Sequence, residues 1–353
     1  MMGGPLFLRA IITLLSLGVV VTNLWIGTKY TRSSIPIAVD PAGNTVVHID
    51  HQQVPLTQNR RNRCLRDGGT YLERMLNSPY ARYYHQPTSN SNSLLNEHDS
   101  LYRISWMSPF VLEEHRLLFF TVPKVACTVF KQLFRRMSGY SNWKKHNNDL
   151  PHKQQFNGLK LLRDYPLDVA NEMLTNDTWT RAIFVRDPRE RLLSAYLDKG
   201  VKTNLINKWC CKDTQDCGAR SAASFEGFLS LVPACLNNHW EAQAHRMEHK
   251  FWFTINFVGH IETAAVDTHR LLSIIADDSD DCDGDDALWN IYGANGWGES
   301  GTEHIFQHTS TIRHGTGSSD KVVQYYNTTG IERKAKDILR IDYEHPLFNF
   351  SFA

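Results

Sequence analysis

Four shortages limit what this chain can be. Net charge is nearly absent: 38 lysines and arginines stand against 37 aspartates and glutamates, a formal +1. Without a global basic excess nothing draws in a nucleic-acid backbone, so nucleic acid is not expected as a partner, and any anion must be held by local charges. The seven cysteines include no CxxC pair, so the cluster Cys210, Cys211, Cys217 and Cys235 lacks the usual spacing of a zinc site. No internal repeat stands out. Finally, FFTVPKVACTVFKQLFRRM (119–137) opens like a phosphate-binding strand, loop and helix, yet has neither of the glycines nor the lysine position of GxxxxGK[ST]. A conventional nucleoside triphosphate is therefore not the expected ligand.

What is present is an ordinary globular balance, 42% hydrophobic and 21% charged over 353 residues, enough for one large domain or two ordinary ones. Residues 10–27, AIITLLSLGVVVTNLWIG, are uncharged and long enough to cross a thin bilayer as a helix. Arg9 precedes this run and Lys29 and Arg32 follow it, so flanking charge does not set its orientation. A cleaved signal peptide is the alternative. The run exceeds a usual signal core, however, and no clear A-x-A site ends it. The expectation is an uncleaved signal anchor: a tail at 1–9, a transmembrane helix at 10–27, a polar stem at 28–103 and a functional domain at 104–353.

Glycosylation sequons at Asn176, Asn327 and Asn349 suit a luminal domain. Cys127 lies inside the opening motif, where a crosslink would obstruct a ligand, and is read as a free thiol. The other six cysteines could pair in an oxidising lumen, with a connectivity that spacing does not reveal.

Within the stem, residues 64–78 have the pattern of a short helix. From about residue 104 buried strands begin to alternate with helices. Strand 116–122 leads to helix 125–137, whose apolar face is Val129, Phe130, Leu133, Phe134 and Met137, leaving Lys131, Gln132, Arg135 and Arg136 outside. Strand 180–185 leads to a helix with Asp187 as its cap and Pro188 in its first turn, carrying the stripe Leu192, Leu193, Tyr196 and Leu197. Strand 253–259 leads to helix 262–276. Three such units predict an α/β fold with a parallel sheet. The acidic run DDSDDCDGDD (277–286) fails as an EF-hand, since its first and twelfth ligand positions are Ser279 and Asn290. A solvated loop is expected there, with a glycosyltransferase-like metal site at Asp281-Cys282-Asp283 as the alternative.

Ligands of α/β proteins sit at the strand ends, where a helix N-terminus offers free N–H groups and a positive dipole end. In the first loop Lys124 adds a full charge and Thr128 a hydroxyl, while Val125, Ala126 and Cys127 are small enough for close approach. The second, FVRDPRERLLSAY (184–196), supplies Arg186, Arg191 and Ser194 as donors. Two cradles imply a ligand with anionic groups at two places.

PKVACT together with RDPRERLLSAY resembles the paired cofactor loops of the Golgi carbohydrate sulfotransferases that act on chondroitin, dermatan, N-acetylgalactosamine and HNK-1 glycans. INFVGHIET (255–263), HWEAQ (239–243), GSSDKVVQYY (317–326) and ILRIDYEHPLF (338–348) resemble further segments of that family, so the likeness spans about residues 104–350 in islands. It implies a P-loop-like sulfotransferase fold and 3′-phosphoadenosine 5′-phosphosulfate as donor. The 5′-phosphosulfate would lie on Pro123, Lys124, Val125, Ala126, Cys127, Thr128 and Val129. The 3′-phosphate would lie on Arg186, Asp187, Pro188, Arg189, Glu190, Arg191, Leu192, Leu193 and Ser194. Three positions depart from the pattern: Val129-Phe130 stands for Asn-Trp, Arg189 for phenylalanine and Ala242 for proline.

The implied reaction is in-line attack of a glycan hydroxyl on sulfur. Lys124 and helix-end N–H groups would stabilise charge on the leaving oxygen, and the scheme requires no metal. The base expected near neutral pH is a histidine, His239 or His152, then His146, with a carboxylate as the further option. A Golgi glycosyltransferase and a non-catalytic, membrane-anchored glycan-binding protein are the rival readings.

Overall fold

The computed structural model describes residues 37–39, 45–47, 71–83, 93–144, 147–203, 205–211, 224–276, 286–307 and 316–352. The proposed anchor at 10–27, His146, Cys64, Cys217 and Cys282, and the triplet 281–283 lie outside them. The chain divides into two compact units, 1–53 and 54–353. In the first, strands β1 (Ile37–Val39) and β2 (Thr45–Val47) form an antiparallel pair.

The second unit is built on a five-stranded sheet of β3 (Phe110–Leu112), β4 (Leu117–Phe120), β5 (Lys160–Leu161), β6 (Thr180–Val185) and β7 (Phe257–His260). Their order is β5-β3-β4-β6-β7. β4, β6 and β7 pair in parallel, with Phe119 opposite Ala182 and Ile183 opposite Val258. These are the three strands predicted from the sequence, and all of β4 and β6 is buried, as expected for runs covered on both faces. The sheet is nevertheless mixed, because β3 runs antiparallel to both β4 and β5. β3 reaches β4 through one short turn, Glu113–His115, a connection open only to antiparallel neighbours. Gly259 lets β7 press against β6: a Cβ there would stand 2.5 Å from the Phe184 ring.

Helix α1 (Cys127–Met137) follows β4, α2 (Leu167–Thr175) precedes β6, and α3 (Pro188–Ala195) follows β6. The Asp187 carboxylate accepts the Glu190 N–H at 3.0 Å, with Pro188 in the first turn, as predicted. Later come α4 (Phe225–Leu231), α5 (Ala264–Ala276), α6 (Ser318–Tyr325) and α7 (Thr329–Tyr343). The predicted start of strand 253–259 is instead a 3-10 turn, His249–Thr254, and the strand begins at Phe257. No helix among the described residues is long and apolar enough to cross a membrane.

The apolar face of α1 is buried as expected, but Gln132 (5% exposed) and Arg135 (1%) are buried with it. Tyr140, Asn142 and Asn157 cover that flank: Arg135 donates to the Asn157 carbonyl and to Asn142 Oδ1, and lies 4.6 Å from the Tyr140 ring centre. An arginine whose two terminal nitrogens find acceptors can be buried where the helical pattern alone places it in water, even though Nε is left without a partner among the described residues. Leu192, Leu193 and Tyr196 join Phe225, Phe228, Trp240 and Leu339 in a second core cluster, distinct from the one on the sheet. Residues 71–83 and 93–103, read as stem, contribute Met75, Leu95 and Leu101 to the sheet's core, each fully buried. The helix expected within 64–78 spans Tyr71–Leu76.

Candidate active site

After β4 the chain enters the glycine-free loop. Its backbone is left-handed at Lys124 (φ 68°) and Ala126 (φ 46°), where glycine would be unstrained. Each such residue costs about 1 kcal/mol. Helix α1 holds the loop in place, since the N–H groups of Val129 and Phe130 both donate to the Ala126 carbonyl, at 2.9 and 3.2 Å. The N–H groups of Cys127 and Thr128 precede any acceptor within α1, so the positive end of the helix opens onto the loop.

Lys124 Nζ lies 3.0 Å from Asp198 Oδ2, with both side chains more than nine-tenths buried. Lys199 Nζ reaches the same oxygen at 3.1 Å. Burial pushes the Lys124 ammonium below its ordinary pKa, and Asp198 opposes that shift. Burial alone would raise the Asp198 carboxyl, but the two lysines outweigh it and hold it at about 2. Asp198 and Lys199 ride on a π-helical turn, Tyr196–Lys202, that extends α3.

The second loop meets the first through Arg186. Its Nη1 donates to the Lys124 carbonyl at 3.4 Å, and Nη2 donates to Glu190 Oε2 at 3.0 Å and Ser318 Oγ at 2.9 Å. Gln243 fixes its backbone from both sides, accepting from Arg186 N at 2.9 Å and donating to its carbonyl at 2.8 Å. Ser194 Oγ accepts from Thr316 Oγ1 at 3.0 Å. Gly317, left-handed at φ 57°, delivers Ser318 and Ser319 to this end as the start of α6.

One cavity of about 1010 Å³ joins the two loops. Pro123, Lys124, Ala126, Cys127, Thr128 and Val129 line it from the first, and Arg186, Glu190 and Ser194 from the second. Val125 turns into the core instead, 2% exposed. Arg191 departs from expectation: it is 1% exposed and its guanidinium is spent on the carbonyls of Pro123, Glu241 and Asn238, at 3.0, 2.6 and 3.1 Å. It staples the loop rather than offering donors to an anion. Pro188, Leu192 and Leu193 are buried, and Arg189 lies 5.1 Å from the Phe352 ring centre and 3.9 Å from Asp187. The Asp187 carboxylate is occupied as the α3 cap.

The two candidate bases differ in tautomer. Asn237 Oδ1 accepts from the His239 backbone N–H at 3.0 Å and faces His239 Nδ1 at 2.7 Å, so Nδ1 carries the proton and Nε2 the lone pair. Burial lowers the His239 pKa to about 4, helped by Lys199 and Lys124. His152 Nδ1 lies 3.3 Å from Lys131 Nζ and its Nε2 2.8 Å from Thr128 Oγ1. An ammonium only donates, so Nδ1 is the acceptor and Nε2–H donates to Thr128. His152 thus has no lone pair to offer an acceptor hydroxyl. Both rings line the cavity.

Outside the cavity, Asn327 and Asn349 are exposed, and Asn176 is half-buried with its Oδ1 accepting from Thr178 N and Oγ1, both at 2.9 Å. Cys210 and Cys235 form a disulfide, Cys211 is also disulfide-bonded, and Cys127 is a free thiol. Among the described residues no group of three or more histidines, cysteines and carboxylates is placed to hold a metal ion.

The structure is thus an α/β protein with two cation-bearing loops on one cavity at its strand ends. Residues 108–350 match the Sulfotransferase family, and the chain belongs to it. It is 26% identical to human carbohydrate sulfotransferase 9 over 184 residues, 47% of this chain and 40% of that protein. It is 29% identical to zebrafish (Danio rerio) carbohydrate sulfotransferase 11 over 187 residues, 47% and 52% respectively. Mouse carbohydrate sulfotransferase 8 is 24% identical over 265 residues, 70% of this chain and 58% of that one. The chain spans about half the length of the curated relatives it matches. No solved structure matches it.

Sequence reasoning missed Asp198 and Lys199, which directly follow the recognised loop, and Ser318 and Ser319. The signals available were an acid–base pair continuing the helix of the second loop, and a glycine before two serines at a helix start.

Proposed function

We propose that the chain transfers the sulfuryl group of 3′-phosphoadenosine 5′-phosphosulfate to a hydroxyl of a glycan. The observation that carries this reading is convergence: the Arg186 guanidinium reaches the Lys124 carbonyl, and both cationic side chains line one cavity. The fold fits the P-loop-like sulfotransferase arrangement, with the anion loops at the ends of parallel strands. Lys124, Thr128 and the N-terminal N–H groups of α1 suit a phosphosulfate. Arg186, Ser318 and Ser319 suit a phosphate, which must displace Glu190 from Arg186. The relatives' names point to carbohydrate as the acceptor.

The donor supplies an activated sulfuryl group, so that an S–O bond to the acceptor forms as the S–O bond to the 5′-phosphate breaks. His239 Nε2 takes the proton of the attacking hydroxyl; it is unprotonated, and the ring is oriented by Asn237. Lys124 and the α1 N–H groups stabilise the negative charge that grows on the leaving oxygen. Asp198 keeps both lysines at the loop until an anion competes for them. No step in this scheme needs a metal.

We further place the chain as a single-pass type II protein of the Golgi membrane, anchored through residues 10–27 with the catalytic domain in the lumen. The Cys210–Cys235 disulfide and the accessible sequons at Asn327 and Asn349 support an oxidising, glycosylating compartment. A glycosidase-sensitive mass shift of the expressed chain tests it.

The decisive experiment for activity combines calorimetric binding of 3′-phosphoadenosine 5′-phosphate with transfer of labelled sulfate to chondroitin, dermatan, desulfated heparan and N-acetylgalactosaminides. Binding plus transfer to at least one acceptor is expected. A chain that does neither is not a sulfotransferase.

A further inference from the structure

We propose that the half of the cavity built by the antiparallel edge of the sheet is an acceptor subsite for an acidic glycan, with Trp106 as the stacking platform and Lys131 as the partner of a sugar carboxylate or sulfate. The inference rests on the sulfotransferase reading and adds to it two residues that select the acceptor.

The sheet order separates two halves. Arg186 follows β6 and Glu262 follows β7, both on one side of β4 and its loop. On the other side β3 runs against β4 with Phe110 opposite Phe119, so the residues before Phe110 pass the end of β4 and reach the same cavity. The turn 104–108 arrives there, closed by Met107 and Ser108 N–H groups that each donate to the Ile104 carbonyl at 3.0 Å. Arg246, 5% exposed, pins it from beneath by donating to the carbonyls of Trp106, at 3.1 Å, and Thr121. The backbone is fixed, yet the Trp106 side chain stays 51% exposed on the cavity wall. A rigid aromatic face at a polar cavity edge matches the C–H face of a pyranose, which loses little entropy on stacking there.

The charges at this end have one sign. Lys131 lies one turn beyond Thr128 on the same face of α1, with its ammonium 5.6 Å from the Phe110 ring centre. Gln154 and Asn157 line the cavity here as neutral amides. Among the described residues the carboxylates lining the cavity are Glu190, Asp198, Glu262 and Asp320. These belong to the donor loops, the end of β7 and α6. An acidic sugar would therefore meet a lysine at the Trp106 end and no opposing carboxylate.

The test measures calorimetric affinity of the full chain for a chondroitin sulfate hexasaccharide, its desulfated form and its carboxyl-reduced desulfated form, for wild type, Trp106→Ala, Trp106→Phe and Lys131→Gln. Affinity for 3′-phosphoadenosine 5′-phosphate is read on the same samples as a check on folding and on the donor site. Trp106→Ala should weaken all three oligosaccharides about tenfold, and Trp106→Phe should stay within about threefold of wild type. Lys131→Gln should weaken the two acidic forms about tenfold and leave the reduced form unchanged. Loss against the sulfated form alone would assign Lys131 to sulfate, and loss against both acidic forms would assign it to the carboxylate. Nucleotide affinity should stay within about twofold throughout. The subsite is refuted if wild type binds none of the oligosaccharides, if Trp106→Ala binds them as wild type does, or if Lys131→Gln affects charged and reduced forms alike. Failure of wild type to bind the nucleotide refutes the donor reading instead.

Discussion

Replacing His239 with glutamine removes the proposed base and keeps a polar side chain of similar reach. A positioned general base contributes about 10²–10⁴ in rate, so kcat should fall about a thousandfold while nucleotide affinity stays near wild type. The pH dependence adds a second readout. Burial, with Lys199 and Lys124, lowers the folded-state pKa from 6.5 to about 4. The unfolded chain therefore binds a proton at His239 as pH falls below 6.5, and the folded chain does not until about 4. Stability from this group is full above pH 6.5, declines as pH falls towards 4 and is then constant, a swing of at most about 3 kcal/mol. His239→Gln should flatten that part of the stability curve, followed by urea midpoints at pH 4.5 and 7. The acid limb of kcat/KM reports the free protein and should lie near pH 4. That of kcat should lie higher, because an anion bound to Lys124 and Lys199 offsets two of the causes of the depression. Retention of a tenth or more of wild-type kcat, or an unchanged acid limb in the variant, would remove His239 from the mechanism.

Lys124→Ala should reduce sulfate transfer about a thousandfold while leaving oligosaccharide binding within about twofold, as measured by calorimetry; equal losses in both would make Lys124 a structural residue. Arg191→Met should cost about 3 kcal/mol in urea unfolding, because the carbonyls of Pro123, Glu241 and Asn238 lose their buried donor. A variant as stable as wild type would show that the staple is dispensable. Removing the Cys210–Cys235 disulfide, whose partners are 25 residues apart, by replacing both with serine should lower unfolding free energy by about 3 kcal/mol; an unchanged urea midpoint would mean that α4 is held by packing alone. Lys199→Gln removes the second-largest cause of the low His239 pKa and should move the acid limb of kcat/KM upward. A downward shift would contradict the assignment of that limb to His239.

Local chemistry was enough to read parts of this protein from its residues. The unbroken apolar run of β4, Leu117–Phe120, reads as a buried strand, and Asp187 with Pro188 writes a helix start into the chain itself. The cationic loops after β4 and β6 follow from the same rule, since parallel strands leave their helix N-termini at one end of the sheet. What neighbours do to a residue was not readable. Arg135 and Arg191 look like surface donors on a helical wheel, and both are buried on carbonyls contributed by segments distant in sequence. Asp198 becomes the counter-charge of Lys124 only because a π-turn carries it to a loop 74 residues earlier. β3 was missed because three residues are too few to show a period, yet its antiparallel course brings Trp106 to the cavity. Sequence sets which backbone elements form because those preferences act between near neighbours. The tertiary structure decides which charges are neutralised and which face is left for a sugar, because burial and pairing depend on contacts that no local pattern encodes.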